Sequence, residues 1–339
     1  MAAETEAAVR SPRIGASAFE RFWDVRSRAR EAAARRLGAP ADEVAVTTST
    51  SQGVGLVTAG LEWEHGDEIV TTTEEHPGVL GPLDELRVRR SAVIRAVPAD
   101  EVVASIRPAT RMVALSHVLW TTGRILPLPE IAAAAHDVGA LLLVDGAQSA
   151  GQLDLRMDET GADFYAISGQ KWLLGPTGTG ALWVHPRHHE RLRPALPSYL
   201  TYADGIVGNM RPGAARFDPG TLDLASLAGF AAAVDWVDGM EGGWPAWLVL
   251  AGERVAAARA RLTSAGIPVV DPPGGSAGLV AFELPGHEPA DVVAALAERC
   301  VLLRSIPETP YLRLSVGAWT SDGDLDALVD GLEAVRAGS

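Results

Sequence analysis

A lysine in the middle of the chain carries the strongest chemical signal. Lys171 lies in the segment ISGQKWLLGPTGTGALWV (167–184), directly after an apolar strand end and directly before a tryptophan and a glycine-rich run. This is a poor setting for a surface charge and a suitable one for a lysine held inside a site. A partly desolvated lysine loses its proton more easily and can form a Schiff base with an aldehyde. We therefore predict that Lys171 binds a carbonyl cofactor covalently.

The segment LLLVDGAQSAG (141–151) supplies a carboxylate upstream of the lysine. Its four apolar residues, 141–144, predict a buried parallel strand that delivers Asp145 at its C-terminal end, where open α/β sheets bind their ligands. A carboxylate there can keep a pyridine nitrogen protonated, and a protonated pyridine ring accepts electrons. Gln148 would then reach the phenolic oxygen of the ring. The cofactor that these residues indicate is pyridoxal 5'-phosphate.

Together the two segments resemble the class V aminotransferase family. VDGAQSAG is followed by SGQKWLLGPTGTGALWV, and Lys171 stands 26 positions after Asp145. Either motif alone is a weak signal, whereas the pair is specific. The family consists of fold type I pyridoxal-phosphate enzymes and includes cysteine desulfurases, C–S lyases of cystine and cysteine conjugates, isopenicillin-type epimerases and some transaminases. The resemblance runs from roughly residue 40 to the C terminus.

The resemblance implies cofactor contacts at two loops in the first third of the chain. It places Thr50 and Ser51 at the cofactor phosphate, in a hydroxyl-rich turn before a small-residue helix. N–H and O–H groups converge at such a turn, although a simple helix N-cap is the alternative. His76 follows a strand, and the resemblance makes it the imidazole that stacks on the ring and relays protons. A solvated loop histidine is the alternative there.

Four further cofactor contacts follow from the resemblance. Ser168 and Gln170 stand two positions apart before the lysine, and we expect both on one strand face within reach of the phosphate; relatives often have histidine at the second position. Gly220 and Thr221 match a Gly-Thr pair that touches the phosphate of the neighbouring subunit. This match implies a homodimer in which each site is completed in trans. An ordinary loop before a helix is the alternative.

Two residues are predicted to contact the substrate. Arg313 stands among apolar neighbours in a short predicted strand, where a guanidinium needs a carboxylate and suits one bidentately. By the resemblance it binds the α-carboxylate of an amino-acid substrate, with a structural salt bridge as the alternative. Trp120 occupies the position at which desulfurases usually place an asparagine. Because it cannot accept a hydrogen bond, we expect an apolar wall of the substrate pocket or, alternatively, core packing.

The position of the one cysteine argues against a desulfurase. Desulfurases need a nucleophilic cysteine on a loop between a predicted strand at 301–304 and the strand of Arg313, and that loop here reads SIPETPY. Cys300 lies before the strand in the run ERCVLL, which we expect to enter the core, where an apolar setting raises the pKa of a thiol and keeps it inert. Persulfide formation is therefore not the predicted chemistry.

The favoured reaction is β-elimination by a C–S lyase acting on a cysteine conjugate or sulfoxide, releasing a sulfur species, pyruvate and ammonia. Lys171 is the predicted acid and base. SGQKWLLGP and SHVLWTTG resemble the cystine-lyase and sulfoxide-lyase branch, including the type that cleaves hercynylcysteine sulfoxide in ergothioneine synthesis. The alternatives are an aminotransferase, an epimerase, a desulfurase and an inactive cofactor-binding partner subunit.

Composition argues against several other classes of protein. The 339 residues are 47% hydrophobic and include 43 acidic against 29 basic side chains. An acidic balance argues against nucleic acid or an anionic membrane as the partner. No apolar run approaches the roughly 20 residues of a membrane span, and residues 1–20 lack a signal-peptide core, so we expect a cytoplasmic protein. The cluster HPRHHE (185–190) lacks a suitably spaced fourth ligand, and we predict no metal.

Strand and helix patterns predict how these residues are positioned. We expect an α/β protein with a mainly parallel central sheet flanked by helices and a smaller α+β domain at the C terminus. The predicted division is a helical segment 1–38, a large cofactor-binding domain 39–230 and a small domain 231–339. An amphipathic helix at 19–37 should end at Gly38. In the resembled family an N-terminal arm precedes this helix, and we expect that arm to be absent or shortened here.

Overall fold

A computed structural model describes residues 2–11 and 15–338, so parts of the predicted segment 1–38 lie outside the described residues. Contacts divide the chain into two compact units. The first comprises Met1–His117 and Pro127–Met240, and the second comprises Val118–Leu126 and Glu241–Ser339. Within the described residues no helix is both long and apolar enough to cross a membrane.

The first unit is built on a central sheet. Its strands are β1 (Val44–Thr47), β2 (Glu68–Thr72), β3 (Val93–Val97), β4 (Thr110–Ser116), β5 (Leu141–Asp145), β6 (Phe164–Ser168) and β7 (Gly180–Val184). In the described residues this is a seven-stranded sheet with the order β1-β7-β6-β5-β4-β2-β3. Strands β2 to β6 pair in parallel, and β7 is antiparallel to both β1 and β6. The predicted mainly parallel sheet is confirmed.

Every residue of β5 and β6 is buried, because helices cover both faces of the parallel sheet. The helices of this unit are α1 (Ala2–Arg10), α2 (Ala16–Leu37), α3 (Thr50–Gly60), α4 (Pro77–Arg90), α5 (Val102–Ser105), α6 (Leu128–Asp137), α7 (Met157–Thr160) and α8 (Leu224–Asp238). Helix α2 ends as predicted at Gly38, which adopts a left-handed conformation with φ 58°.

The pairing register brings strand ends with polar residues to one edge of the sheet. Ser116 at the end of β4 pairs with Asp145 at the end of β5, and Asp145 pairs with Ala166 in β6. Strand β6 then continues to Ser168 before the chain turns towards Lys171. Parallel strands place their carboxyl ends at the same edge, which is where ligands of such sheets bind.

The second unit is an α+β structure. It contains α9 (Gly243–Ser264), β8 (Leu279–Glu283), α10 (Pro289–Ala297), β9 (Arg304–Ser305), β10 (Tyr311–Ser315) and α11 (Asp322–Ala337). Its strands form an antiparallel sheet in the order β8-β10-β9. A core of apolar side chains from the three helices and the sheet holds this unit together, with Phe282, Leu296 and Leu332 among its most buried members.

Two expectations about the chain before β9 are wrong. The strand predicted at 301–304 begins at Arg304, and Leu302 is 81% exposed. Cys300, expected in the core, is exposed and adopts a left-handed conformation with φ 60°. The reason is local: α10 ends at Ala297, the chain turns at Cys300, and after the turn Val301 and Leu303 pack against the core while Leu302 between them faces solvent.

Candidate active site

Asp145 and Lys171 lie close together at the C-terminal edge of the sheet. Asp145 is 6% exposed, and its Oδ1 accepts a hydrogen bond of 2.7 Å from the backbone N–H of Ala147. Burial raises the pKa of Asp145, while that N–H and the positive charge of Lys171 act in the opposite direction. Lys171 is half-buried in the turn after β6. The structure thus brings together the two residues on which the sequence analysis depends.

Hydroxyl groups meet where α3 begins. The Oγ1 of Thr50 donates to the Oγ of Ser168 at 2.9 Å, and both side chains are buried. Ser49 is the N-cap of α3 and accepts from the backbone N–H of Gln52, while Ser51 is exposed on the first turn. The first N–H groups of a helix have no intrahelical acceptors, so an anion is stabilised there. Thr50 and Ser168 are therefore well placed to hold a phosphate.

His76 stands at the start of the neighbouring helix, α4. It is the N-cap residue, and its Nδ1 accepts a hydrogen bond of 3.0 Å from the backbone N–H of Gly78. A neutral imidazole that accepts at Nδ1 carries its proton on Nε2. A side chain at Gly78 would collide with the hydroxyl of Ser51 and approach the Nδ1 of His76. The absence of a side chain at Gly78 therefore lets the first turn of α3 approach the histidine.

Gln148 is buried beside the residue that follows the lysine. Its Oε1 accepts a hydrogen bond of 2.9 Å from the indole N–H of Trp172, and both side chains are buried. Gln170 differs from the expectation. It is exposed in a turn, because β6 ends at Ser168, so these two side chains do not share a strand face.

The predicted Gly-Thr pair lies in a loop before α8, and buried charged side chains contact this loop. Gly220 is buried with φ 105°, and its carbonyl accepts from Nη1 of Arg26 at 3.2 Å. Thr221 is exposed, and its hydroxyl contacts that of Tyr199 at 2.8 Å. Arg26 also pairs with buried Asp218 at 2.5 Å.

Asp218 has further partners that the sequence analysis missed. It pairs with Arg30 at 2.8 Å and accepts from the backbone N–H of Val46 at 2.9 Å. These contacts tie the Gly220 loop to α2 and β1. The charged residues of α2 looked like an ordinary solvated face in the sequence, and the signal that was available is an aspartate in the RFDPGT segment.

A buried carboxyl next to His76 was also missed. Glu75 is 4% exposed and accepts from Oγ of Ser116 at 2.6 Å, from the backbone N–H of that residue and from Oγ1 of Thr72 at 2.8 Å. Burial and, to a smaller extent, the nearby charge of Asp145 raise the pKa of Glu75 to about 7, against the hydrogen bonds from Ser116 and Thr72, which lower it. Glu75 thus links the ends of β2 and β4 beside the histidine.

A chain of hydroxyl groups supports the turn after Asp145. Tyr165 is fully buried, and its hydroxyl lies 2.7 Å from Nδ1 of His117 and 2.5 Å from Oγ of Ser149, which in turn donates to the carbonyl of Gly146. A side chain at Gly146 would collide with the ring of Tyr165. Burial lowers the pKa of His117 to about 4, which keeps this imidazole neutral.

Both predicted substrate residues lie in the second unit and contact each other. Nη1 of Arg313 donates to the carbonyl of Trp120 at 2.6 Å, and the guanidinium lies 5.8 Å from the centre of the indole ring. Arg313 is 8% exposed, and burial together with the charge of Arg304 lowers its pKa to about 10. Within the described residues the partner of its Nη1 is a carbonyl, no carboxylate affects its pKa, and its Nε has no hydrogen-bond partner. The alternative of a structural salt bridge is therefore not observed.

The histidine cluster has a structural environment. His188 is buried and lies 2.5 Å from Oδ1 of Asp163, which also accepts from Arg187, from His136 and from the backbone N–H of Leu142. These donors hold the pKa of Asp163 well below its usual range. Among the described residues no group of three or more His, Cys, Asp or Glu side chains has a metal-binding arrangement.

The residues of the first unit fit pyridoxal 5'-phosphate. The amine of Lys171 would hold the aldehyde carbon, buried Asp145 would pair with the ring nitrogen, and the turn around Thr50 would bind the phosphate. A protonated ring nitrogen would favour the ionised form of Asp145, because its positive charge offsets the burial that raises the pKa of this carboxyl. A mainly parallel α/β sheet with these groups at its carboxyl edge defines the fold type I class of pyridoxal-phosphate enzymes.

The chain belongs to the class-V aminotransferase family, whose family model matches residues 6–316. The match thus begins before residue 40, where the resemblance in the sequence begins. A probable cysteine desulfurase of Methanothermobacter thermautotrophicus is 35% identical over 222 residues, which cover 62% of this chain and 55% of that protein. Isopenicillin N epimerase of Streptomyces clavuligerus is 32% identical over 336 residues, which cover 91% of this chain and 83% of the epimerase.

Solved structures of the cystine C–S lyase C-DES share the fold. Its complex with the reaction product cysteine persulfide has a TM-score of 0.91 at 26% identity, covering 98% of this chain and 92% of that one. A variant of C-DES with glycine covalently linked to its pyridoxal-phosphate cofactor also has a TM-score of 0.91 at 26% identity, with 98% and 91% coverage. The family and these structures identify the cofactor as pyridoxal 5'-phosphate.

Proposed function

We propose that this class V enzyme is a C–S lyase that cleaves a cysteine-derived substrate by β-elimination. The observation that carries the proposal is the loop between β9 and β10, 306–310, which contains no cysteine. A desulfurase needs a thiol that attacks the sulfur of the substrate, whereas β-elimination needs a base at the α-carbon and an acid for the leaving sulfur. The similarity to C-DES supports the same reaction class.

In this proposal Arg313 binds the α-carboxylate of the substrate. Its buried guanidinium has no described carboxylate partner, and an anionic ligand would supply one. Trp120 forms an apolar wall beside it, consistent with the contact between the two side chains. A carboxylate next to an apolar surface suits an amino acid with a sulfur-containing side chain.

Lys171 moves the protons. With its amine free while substrate is bound, Lys171 would remove the α-proton and then donate a proton to the sulfur, as the C–S bond breaks and the sulfur leaves with the electron pair. The pyridoxal ring, when bound, delocalises the negative charge that develops at the α-carbon. Asp145 keeps the ring nitrogen protonated and His76 covers one face of the ring. The enamine product then takes up water and yields pyruvate and ammonia.

The phosphate contacts complete the proposal. Thr50, Ser51 and Ser168 bind the phosphate, Gln148 contacts the phenolic oxygen of the ring, and exposed Gln170 is a further donor. Gly220 and Thr221 would reach the phosphate of a neighbouring subunit, so the proposed functional unit is a homodimer. The positive φ of Gly220 and the anchoring of its carbonyl by Arg26 are consistent with a loop of fixed shape.

A second candidate function is amino-acid epimerisation. It is favoured by the similarity to isopenicillin N epimerase, which covers 91% of this chain. Epimerisation needs the same removal of the α-proton, followed by return of a proton to the opposite face of the carbon. Transamination would return it to the cofactor carbon instead. These reactions share the contacts proposed above and differ in their products.

The test begins with absorbance of the purified protein after addition of pyridoxal 5'-phosphate. A visible band is expected, and Lys171→Ala should abolish it. Cystine, S-substituted cysteines and their sulfoxides should then release pyruvate in a lactate-dehydrogenase-coupled assay. A protein that never acquires the band contradicts the cofactor role of Lys171. A band without pyruvate, but with racemised substrate or with amination of an added keto acid, would replace the lyase by one of the alternatives.

A further inference from the structure

The hydrogen bond between Trp172 and Gln148 fixes which way the amide of Gln148 faces. The indole N–H is a donor and has no acceptor capacity, so the atom of Gln148 that lies 2.9 Å from it must be the carbonyl oxygen. The two amide hydrogens of Gln148 then point elsewhere. Gln148 is 9% exposed and Trp172 is 5% exposed, so water competes little for this bond.

Trp172 is itself held by the turn that carries Gln148. Gly151 adopts φ 92°, and a side chain there would collide with the backbone carbonyl and the Cβ of Trp172. The segment 145–151 and the turn after Lys171 are therefore pressed against each other through two contacts, one polar and one steric. The indole has little freedom to move away from the amide.

We propose that Trp172 is a positioning residue that holds Gln148 as a hydrogen-bond donor to the ring oxygen of the cofactor. This inference rests on the proposed function, in which Gln148 faces that oxygen. With the amide oxygen bonded to Trp172, the NH2 group is left for an anionic acceptor. Without the indole N–H, the amide can rotate by half a turn and present its own oxygen, which repels the ring oxygen.

The orientation has a measurable consequence for the lysine-bound cofactor. A hydrogen-bond donor to the ring oxygen stabilises the negative charge of that oxygen most strongly after the Lys171 nitrogen bonded to the cofactor has lost its proton. The donor therefore lowers the pH midpoint of the visible absorbance transition. Losing one such hydrogen bond should raise the midpoint by about one pH unit, a roughly tenfold change in proton affinity. The titratable groups at this edge, which are Asp145, Lys171, His76 and buried Glu75, stay unchanged in every variant below.

The experiment compares the absorbance midpoint of the cofactor-loaded protein with that of Trp172→Phe. A matched control is Trp183→Phe, because the indole N–H of Trp183 also donates to a partly buried side chain, Glu43, at 2.7 Å. This pair lies near the start of β1, away from Lys171. Trp172→Phe should raise the midpoint by about one pH unit, and the control Trp183→Phe should leave it unchanged.

A double-variant cycle shows whether Trp172 acts through Gln148. Gln148→Leu removes the amide, so adding Trp172→Phe to it should cause no further shift. Equal shifts in both backgrounds, or no shift in either, would overturn the inference. If Trp172→Phe does not fold, Gln148→Leu alone decides, because it removes the amide donor without adding a charge, and an unchanged midpoint then overturns the inference. A missing band in the unsubstituted protein refutes the proposed function instead.

Discussion

Replacing Glu75 by glutamine should change how the free energy of unfolding of the cofactor-free protein depends on pH. The carboxyl is buried between the ends of β2 and β4, where it accepts from Thr72 and from two donors of Ser116. Burial raises its pKa from 4.5 to about 7, and nearby Asp145 contributes in the same direction. A glutamine keeps the size of the side chain and removes the titration.

The sign and the size of this change in the free energy of unfolding follow from proton linkage. The folded protein keeps the Glu75 proton up to about pH 7, whereas the unfolded chain loses it near pH 4.5. Between these values the folded state binds more protons, so rising pH destabilises it by ~1.4 kcal/mol per pH unit for this group. Across the window the loss comes to ~3 kcal/mol, an order-of-magnitude figure. The glutamine variant does not suffer this loss.

Urea unfolding between pH 4.5 and 8 measures the effect. The hydrogen bonds that change in Glu75→Gln alter the free energy of unfolding by an amount that does not depend on pH. As pH rises, the free energy of unfolding of the variant should therefore increase relative to that of the parent. A matched control is Glu68→Gln at the other end of β2. The guanidinium of Arg107 lowers the pKa of Glu68, so the stability this residue contributes is lost only as pH falls below about 4.5, and the difference between Glu68→Gln and the parent should stay flat from about pH 5 to 8. Parallel pH curves for Glu75→Gln and the parent would refute the reasoning.

Three further variants test other parts of the structure. Asp218→Ala leaves two arginines and a backbone N–H without their buried acceptor and should lower the free energy of unfolding by about 3–5 kcal/mol. The control Glu85→Ala, which removes an exposed pair with Arg89, should lower it by at most ~1 kcal/mol. Similar urea midpoints for the two variants would contradict this prediction. Arg313→Lys should raise the KM for the amino-acid substrate about 10- to 100-fold in the pyruvate assay, because an ammonium lacks the planar fork; an unchanged KM excludes carboxylate binding. Cys300→Ser should keep pyruvate release unchanged, and an inactive variant with normal unfolding would favour a desulfurase.

Local patterns were sufficient for the features that depend on neighbours in the chain. The apolar run before Asp145 predicted a buried parallel strand, and β5 is that strand. Gly38 predicted a helix end, which it forms. The position of Gln170 was wrong because strand periodicity was extended two residues past the end of β6. The predicted burial of Cys300 was wrong because this residue lies in the left-handed turn after α10, and only the apolar residues beyond the turn reach the core.

Contacts between distant segments account for what the sequence analysis missed. Glu75 looked like one of several loop carboxylates, and its burial depends on β4, which begins 35 residues later. Trp172 follows the lysine directly in the sequence, but its bond to Gln148 exists because two turns meet at the sheet edge. Asp218 is buried by arginines of α2, almost 200 positions earlier in the chain.

By itself the sequence determined the cofactor chemistry, the mainly parallel α/β fold and the family, because these depend on residue types at short spacings and on the periodicity of apolar residues. The tertiary structure decided which side chains support the predicted ones. It buried Glu75 beside His76, turned the amide of Gln148 with Trp172, and placed Arg313 against Trp120. The physical reason is that burial and hydrogen-bond direction are set by strands and loops far apart in the chain, whose pairing no local pattern specifies.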